Sequence, residues 1–144
     1  SKAIELDPEY AIAYYRRGDT YRMQKKYDMA VKDLSKAIEL NPKNARYYAS
    51  RGEAYRMLAQ YDLALKDEDR AIELSPTYAF AYASRGTVNF ELGKYDLALQ
   101  DLSKAIQLDP SYVWAYERRA AVYRKQGKMD LANQDEAKAK QLRP

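Results

Sequence analysis

Cysteine and histidine are both absent from the sequence. Without cysteine there are no disulfides and no thiolate chemistry, and the redox compartment is left open, with the cytoplasm as the default expectation. Without histidine the chain lacks the commonest general base and metal ligand, so an enzyme would have to work with carboxylates alone. Most of those carboxylates recur once in each unit of the repeat set out below. A group present in every unit suits a scaffold better than a catalytic constellation that is needed once. The expectation is therefore no enzyme, with no catalytic residue, no metal and no cofactor. Glycine is scarce, 5 residues in all, and forms no phosphate-cradling loop. Apolar runs extend for only a few residues, too short to cross a membrane. Charged residues make up 32% of the chain, yet the net charge is only +4, too mild to single out nucleic acid or a membrane surface as a partner.

Proline is scarce too, and its placement is decisive. The prolines stand at positions 8, 42, 76, 110 and 144, a strict period of 34 residues. The words before them repeat as well: Ala37-Ile38-Glu39-Leu40-Asn41-Pro42, Ala71-Ile72-Glu73-Leu74-Ser75-Pro76 and Ala105-Ile106-Gln107-Leu108-Asp109-Pro110. A fixed period of this length denotes stacked supersecondary units that share a continuous core. The chain divides into a half unit at 1–10 and units at 11–44, 45–78, 79–112 and 113–144. Each unit reads as two helices. In the first, Tyr14, Gly18 and Tyr21 mark one face of a helix from about Tyr10 to Gln24. Tyr27, Ala30, Val31, Leu34, Ala37 and Ile38 then form the stripe of a second helix that ends near Leu40. Asp28, Asp62, Asp96 and Asp130 lie in the first turn of each second helix, where a carboxylate meets the positive end of the helix dipole. Pro42 and its equivalents cannot continue a helix. No period-2 alternation competes, so the expected class is all-α.

Gly18, Gly52 and Gly86 sit in mid-helix, where glycine costs about 1 kcal/mol relative to alanine. Close approach of the second helix, through the aligned Ala30, Ala64, Ala98 and Ala132, is the expected compensation. Tyr14, Tyr48, Tyr82 and Tyr116, with Tyr27, Tyr61 and Tyr95, are expected to fill the spaces around this contact. Arg17, Arg51, Arg85 and Arg119 match Asp33, Asp67, Asp101 and Asp135 as a cross-helix ion pair within each hairpin. With Tyr48, Gly52, Tyr55, Tyr61, Ala64, Ala71 and Pro76 as its clearest instance, this pattern resembles the tetratricopeptide repeat family over essentially the whole chain. The resemblance implies a right-handed α-α superhelix, or solenoid, of about four helix-turn-helix repeats with a concave surface lined by the first helices. It also implies a docking platform for peptides or proteins. The chain departs from the pattern at Asn89 and in the last unit, where Ala120, Met129, Asn133 and Lys140 replace Gly, Tyr, an aliphatic residue and Ile. A polar final helix is the expected form of a terminal cap. The half unit at 1–10 shows no such change, and further repeats are expected before it.

The stripe opposite the glycines would face the groove. It comprises Ile12, Tyr15, Asp19 and Arg22; Arg46, Ala49, Glu53 and Arg56; Phe80, Ala83, Thr87 and Phe90; and Trp114, Glu117, Ala121 and Arg124. Both phenylalanines and the single tryptophan of the chain fall on it. With the flanking Arg16, Arg118, Lys125 and Glu91, basic residues number seven against four acidic ones. Grouped large apolar residues with arginine are a usual sign of an interaction surface. The candidate peptide-binding residues are Tyr15, Arg16, Asp19, Arg22, Arg46, Arg56, Phe80, Phe90, Trp114, Arg118 and Arg124, and the expected partner is an acidic peptide or protein segment with an apolar anchor. Side-by-side first helices would put Phe80 between Arg46 and Trp114, and Phe90 between Arg56 and Arg124. The plainer alternative is that Phe80 and Trp114 only fill gaps, with arginines stacked on them. Some family members clamp the C-terminal carboxylate of heat-shock chaperones; at the aligned positions this chain has Tyr15, Asp19, Ser50, Phe80 and Ser84, none of which supplies the clamp's positive charge. Other readings are a scaffold that self-associates end to end and a substrate-selecting module of a larger enzyme. Nucleic-acid binding is disfavoured because Asp19, Glu53, Glu91 and Glu117 interrupt the basic residues.

Overall fold

The structure, a computed structural model, describes residues 8–144. Most of the expected half unit at 1–10 lies outside the described residues. Among them there are eight α-helices and no strand: α1 (Pro8–Met23), α2 (Tyr27–Leu40), α3 (Ala45–Met57), α4 (Tyr61–Leu74), α5 (Ala79–Glu91), α6 (Tyr95–Leu108), α7 (Val113–Lys125) and α8 (Met129–Leu142). The chain forms two compact units, the first ending at Pro76 and the second beginning at Thr77. Each holds two helical hairpins, α1–α2 with α3–α4 and α5–α6 with α7–α8. In the first unit α3 packs against α2 and, less extensively, α1; in the second α7 packs in the same way against α6 and α5.

The helix bounds follow from local chemistry. Pro42, Pro76 and Pro110 lie outside the helices, as a residue without an amide donor should. Pro8 does the opposite and opens α1. The first helical position tolerates proline, because its amide would have no intrahelical partner there. The hairpin turns are built alike. The amides of Lys26, Gln60, Lys94 and Lys128 each donate to the carbonyl five residues back, at 2.8 to 2.9 Å, closing a Schellman cap. That cap needs a left-handed residue just before it. Gly93 and Gly127 take this conformation at φ 78° and 76°, but Lys25 and Ala59 take it at φ 64° and 59° with a side chain attached. Tyrosine hydroxyls tie the inter-hairpin linkers: Tyr48 donates to the Pro42 carbonyl at 3.0 Å and Tyr116 to the Pro110 carbonyl at 2.9 Å.

The mid-helix glycines are sites of close approach of the second helix, and the nearest side chains there are larger than the expected alanines. A Cβ at Gly18 would lie 2.9 Å from Leu34 Cγ, and one at Gly86 would lie 3.0 Å from Leu102 Cγ. One at Gly52 would strike the carboxylate of Glu68. The helices therefore meet sixteen residues along, at Leu34, Glu68 and Leu102, all of them wholly buried. Ala30, Ala64, Ala98 and Ala132 are buried as well, and the Ala98 carbonyl oxygen lies 3.1 Å from the position of a Cβ at Gly86. In the last hairpin Glu136 occupies the equivalent position, is exposed and pairs with Arg124, and the Ala120 methyl is accommodated.

Two stability changes of opposite sign follow. Gly86→Ala would gain about 1 kcal/mol of helix propensity but force the Leu102 contact apart, for a net loss of about 1–2 kcal/mol. Ala59→Gly relieves a left-handed alanine and is expected to stabilise by about 0.5–1 kcal/mol after its unfolded-state entropy is counted. Urea denaturation midpoints of the two variants report both signs.

Candidate functional site

The hairpins are locked in rotation before any surface is formed. Arg17, Arg51, Arg85 and Arg119 each donate through Nε and Nη2 to both oxygens of the aspartate sixteen residues on, at 2.7 to 2.9 Å. The expected cross-helix pair is present in all four hairpins, and Asp33, Asp67, Asp101 and Asp135 are buried. Burial pushes the Asp67 carboxyl up, against the opposing hydrogen bonds and field of Arg51. The Asp135 hydrogen bonds hold Arg119 more firmly protonated than usual, against its burial. Arg51 also lies over the rings of Tyr48 and Tyr55, and Arg119 over those of Tyr116 and Tyr123, at 5.6 to 6.0 Å. A third bond reaches the preceding hairpin: Arg51 Nη1 donates to Ser35 Oγ at 3.1 Å, and Arg119 Nη1 to Ser103 Oγ at 3.2 Å.

With that face committed to packing, the opposite stripe of the first helices divides in two. On α3 and α5 its middle is closed, since Ala49, Glu53, Ala83 and Thr87 are buried, and Thr87 Oγ1 donates to the Ala83 carbonyl at 2.8 Å. Its ends carry the large side chains. In the first unit Asp19 accepts from Arg22 at 2.9 Å, and Glu53 from Arg56 at 3.1 Å, the same three-residue spacing in α1 and α3. Arg16 and Arg46 are exposed. Tyr15 is less of a surface residue than its place on the stripe suggested. Its ring lies 5.0 Å from that of Tyr47, which is 2% exposed, and both belong to the core around Ala11 and Ala37. Tyr47 lies just beyond Arg46 on the stripe, and its depth had no signal in the one-dimensional pattern.

In the second unit the aromatic residues come together. Phe80 and Trp114 stack with ring centroids 5.9 Å apart at an interplanar angle of 28°. Tyr78 lies 5.8 Å from Phe80, and Tyr112 lies 6.1 Å from Trp114, so four rings form a connected series at the starts of α5 and α7. All four are partly buried, and Trp114 and Tyr112 pack against the core around Ala83, Ala98 and Leu102. The rings are thus partly covered and partly exposed. Phe90 rests against the same core, with Tyr95 at 5.9 Å. The guanidinium over its ring, at 5.5 Å, is that of Arg118 rather than Arg124. Arg124 instead pairs with Glu136 of α8 at 2.8 Å and Asn133 at 3.1 Å, so that it braces its own hairpin. Arg143 similarly reaches Glu117. The arginine bonds lower the Glu136 carboxyl below its ordinary range. Phe80, Phe90 and Trp114 lie on the outward stripe of the helices, whereas Tyr78 and Tyr112 precede the helices and so fell outside it. Among the described residues no cluster of carboxylates could hold a metal ion, and no helix is long and apolar enough to cross a membrane.

Family models described as Tetratricopeptide repeat match residues 11–44 and 34–66, and one described as TPR repeat matches residues 86–127. No curated protein sequence matches the chain. Several solved structures do. The second TPR domain of the human RPAP3 protein, in complex with HSP70 peptide SGPTIEEVD, is 32% identical over 81% of this chain and 98% of that one, with a TM-score of 0.73. The first TPR of Spaghetti (RPAP3), bound to HSP90 peptide SRMEEVD, is 27% identical over 85% of this chain and 98% of that one, with a TM-score of 0.78. MamA is 28% identical over 98% of this chain and 82% of that one, with a TM-score of 0.78.

The paired charges yield two measurable outcomes. Asp101→Ala removes both acceptors of a part-buried guanidinium and is expected to destabilise by about 1–3 kcal/mol, read from thermal or urea unfolding. Glu136 has a lowered folded-state pKa, so its contribution to stability is present above the unfolded carboxylate range and is lost as pH falls through the folded value. Amide protection factors in α7 and α8, corrected for the intrinsic exchange rates, should therefore fall in acid, and Glu136→Gln should reduce that pH dependence.

Proposed function

The chain belongs to the tetratricopeptide repeat family, and on that premise we propose that it is an interaction scaffold that takes a peptide or protein segment along the first helices of its hairpins. In the second unit Phe80, Phe90 and Trp114 supply the apolar anchor and Arg118 a flanking polar contact; in the first unit Arg16 and Arg46 supply exposed polar contacts. The observation that supports this reading is the Phe80–Trp114 stack, two large aromatic side chains on the outward stripe that remain partly exposed. Partly exposed aromatic residues beside arginine are the side chains that most often dominate binding energy.

Charge ranks below the aromatic anchor. Arg22, Arg56 and Arg124 are each engaged by a carboxylate of their own hairpin, part-buried for the first two and exposed for the third. An acidic flank on the partner would therefore compete with Asp19, Glu53 and Glu136 before it gained anything. The RPAP3 domains hold peptides that end in an acidic tail, but this chain has no cation at the positions aligned with a carboxylate clamp. Tyr15 and Phe80 are ring-stacked there, Asp19 carries the wrong charge, and Ser50 and Ser84 are buried. The partner we infer is held by its apolar residues and is distinct from a chaperone tail.

The reading is tested with a partner captured by affinity purification on the isolated chain. Phe80→Ala is expected to weaken binding at least tenfold by isothermal titration while the far-UV circular dichroism keeps its helical form. Unchanged affinity in the folded variant would defeat it.

A further inference from the structure

Every sulfur atom of the chain is a thioether, since there are 4 methionines and no cysteine. Methionine is ordinarily among the more buried residue types and a filler of irregular cores. Here it is neither. Met23 is 73% exposed, and Met29, Met57 and Met129 are 45 to 49% exposed. Among the described residues the buried apolar side chains are alanine, leucine, valine and tyrosine, without a methionine. All four thioethers stand where a hairpin turns. Met23 and Met57 are the last residues of α1 and α3, Met129 is the first of α8, and Met29 lies in the first turn of α2.

The aligned copies show what these positions bear. One period beyond Met57 stands Glu91, and one further Lys125, so a full charge is accommodated at the end of the first helix. The counterparts of Met29 are Leu63, Leu97 and Leu131, each 40 to 49% exposed, so the side chain at that position is left in contact with water in every hairpin. Oxidation to the sulfoxide turns an apolar side chain polar, which disrupts a core but costs little at such a surface. From this placement we propose that Met23, Met29, Met57 and Met129 are reversible oxidation sites for a peroxide, and that the fold bears all four sulfoxides. A sulfur lone pair attacks one peroxide oxygen, the S–O bond forms as the O–O bond breaks, and the hydroxide released takes the proton of the sulfur-bound oxygen and leaves as water. The sulfur loses an electron pair to the peroxide, and reductases specific for each sulfoxide epimer reverse the change. Three of the four sites lie in the first unit, so oxidation chiefly makes the hairpin ends of that unit polar. The Phe80–Trp114 stack contains no sulfur, and the proposal is independent of the scaffold reading.

The intact chain would be treated with hydrogen peroxide, with free methionine in the same tube as a reference, and followed by intact mass, peptide mapping and thermal unfolding. The expected product carries one oxygen on each of the four methionines, every site reacting within about tenfold of the free amino acid. Its melting temperature should fall by no more than about 4 °C. Sulfoxide reductases of both epimer classes should restore the starting mass. Leu102→Met moves a thioether of nearly leucine's volume to a wholly buried position, where oxidation should be at least tenfold slower than at Met23. Comparable rates at the two positions would overturn exposure as the deciding factor. One of the four methionines left reduced while the free amino acid is consumed, or oxygen found first on Trp114 or a tyrosine, would overturn the assignment of the sites. A larger fall in melting temperature would overturn the tolerance of the fold, and a mass that the reductases leave unrestored would overturn reversibility. The measurements on the unsubstituted chain decide the proposal even where Leu102→Met does not fold.

Discussion

A guanidinium gripped by an aspartate sixteen residues later is the contact on which the hairpins depend. Two short antiparallel helices in contact can slide and roll at little cost, because their apolar stripes are built largely from alanine, and alanine specifies position weakly. A planar fork that meets both oxygens of one carboxylate does not permit that freedom. Arg17, Arg51, Arg85 and Arg119 impose it in each hairpin, on aspartates that are buried. Burial works against such a pair as a source of net stability. Its effect is to fix register, so that the glycine of the first helix lies against residue 34, 68 or 102 of the second and nowhere else.

Once register is set, the tyrosines acquire their roles. Those flanking each arginine cover its guanidinium and carry their hydroxyls to the edge of the hairpin, where Tyr48 and Tyr116 tie the proline linkers. The bond from Arg51 to Ser35, and its counterpart from Arg119 to Ser103, extends the same fork to the neighbouring hairpin. One side chain thus orders three helices. The opposite stripe is then whatever that rotation leaves outward. In the first unit it carries arginines already matched to carboxylates, and in the second a row of partly exposed rings.

The scaffold was open to reading from sequence because it is written four times: each helix bound, each arginine–aspartate pair and each glycine could be checked against its own copies. What stayed hidden was depth. Ala49, Ala83 and Thr87 fall on the outward stripe by angle but are buried, since a narrow two-layer array closes over small residues wherever neighbours meet. Tyr47 is nearly inaccessible and Arg46 beside it is exposed, a distinction that depends on the preceding hairpin and not on helical period. The partner of Arg118 was illegible for a related reason. A cation can choose among a ring, a carboxylate and water at similar energies, and only the packed geometry decides.

The position sixteen residues beyond the glycine shows how the copies constrain one another. Leu34 and Leu102 are wholly buried against Gly18 and Gly86, and Glu68 is wholly buried against Gly52. In the last hairpin the same position is Glu136, which turns outward to Arg124, and there alone the glycine has become Ala120. The two changes belong together: an inward Leu or Glu needs a glycine opposite, whereas an outward Glu leaves space that a methyl group fills and regains helix propensity. The same departure delivers Arg124 to α8 instead of to the Phe90 ring and leaves that ring to Arg118. Glu136 in this hairpin thus holds one of the cations of the outward stripe. Scaffold and site are coupled through one side chain even though their residues lie on opposite faces of the helix.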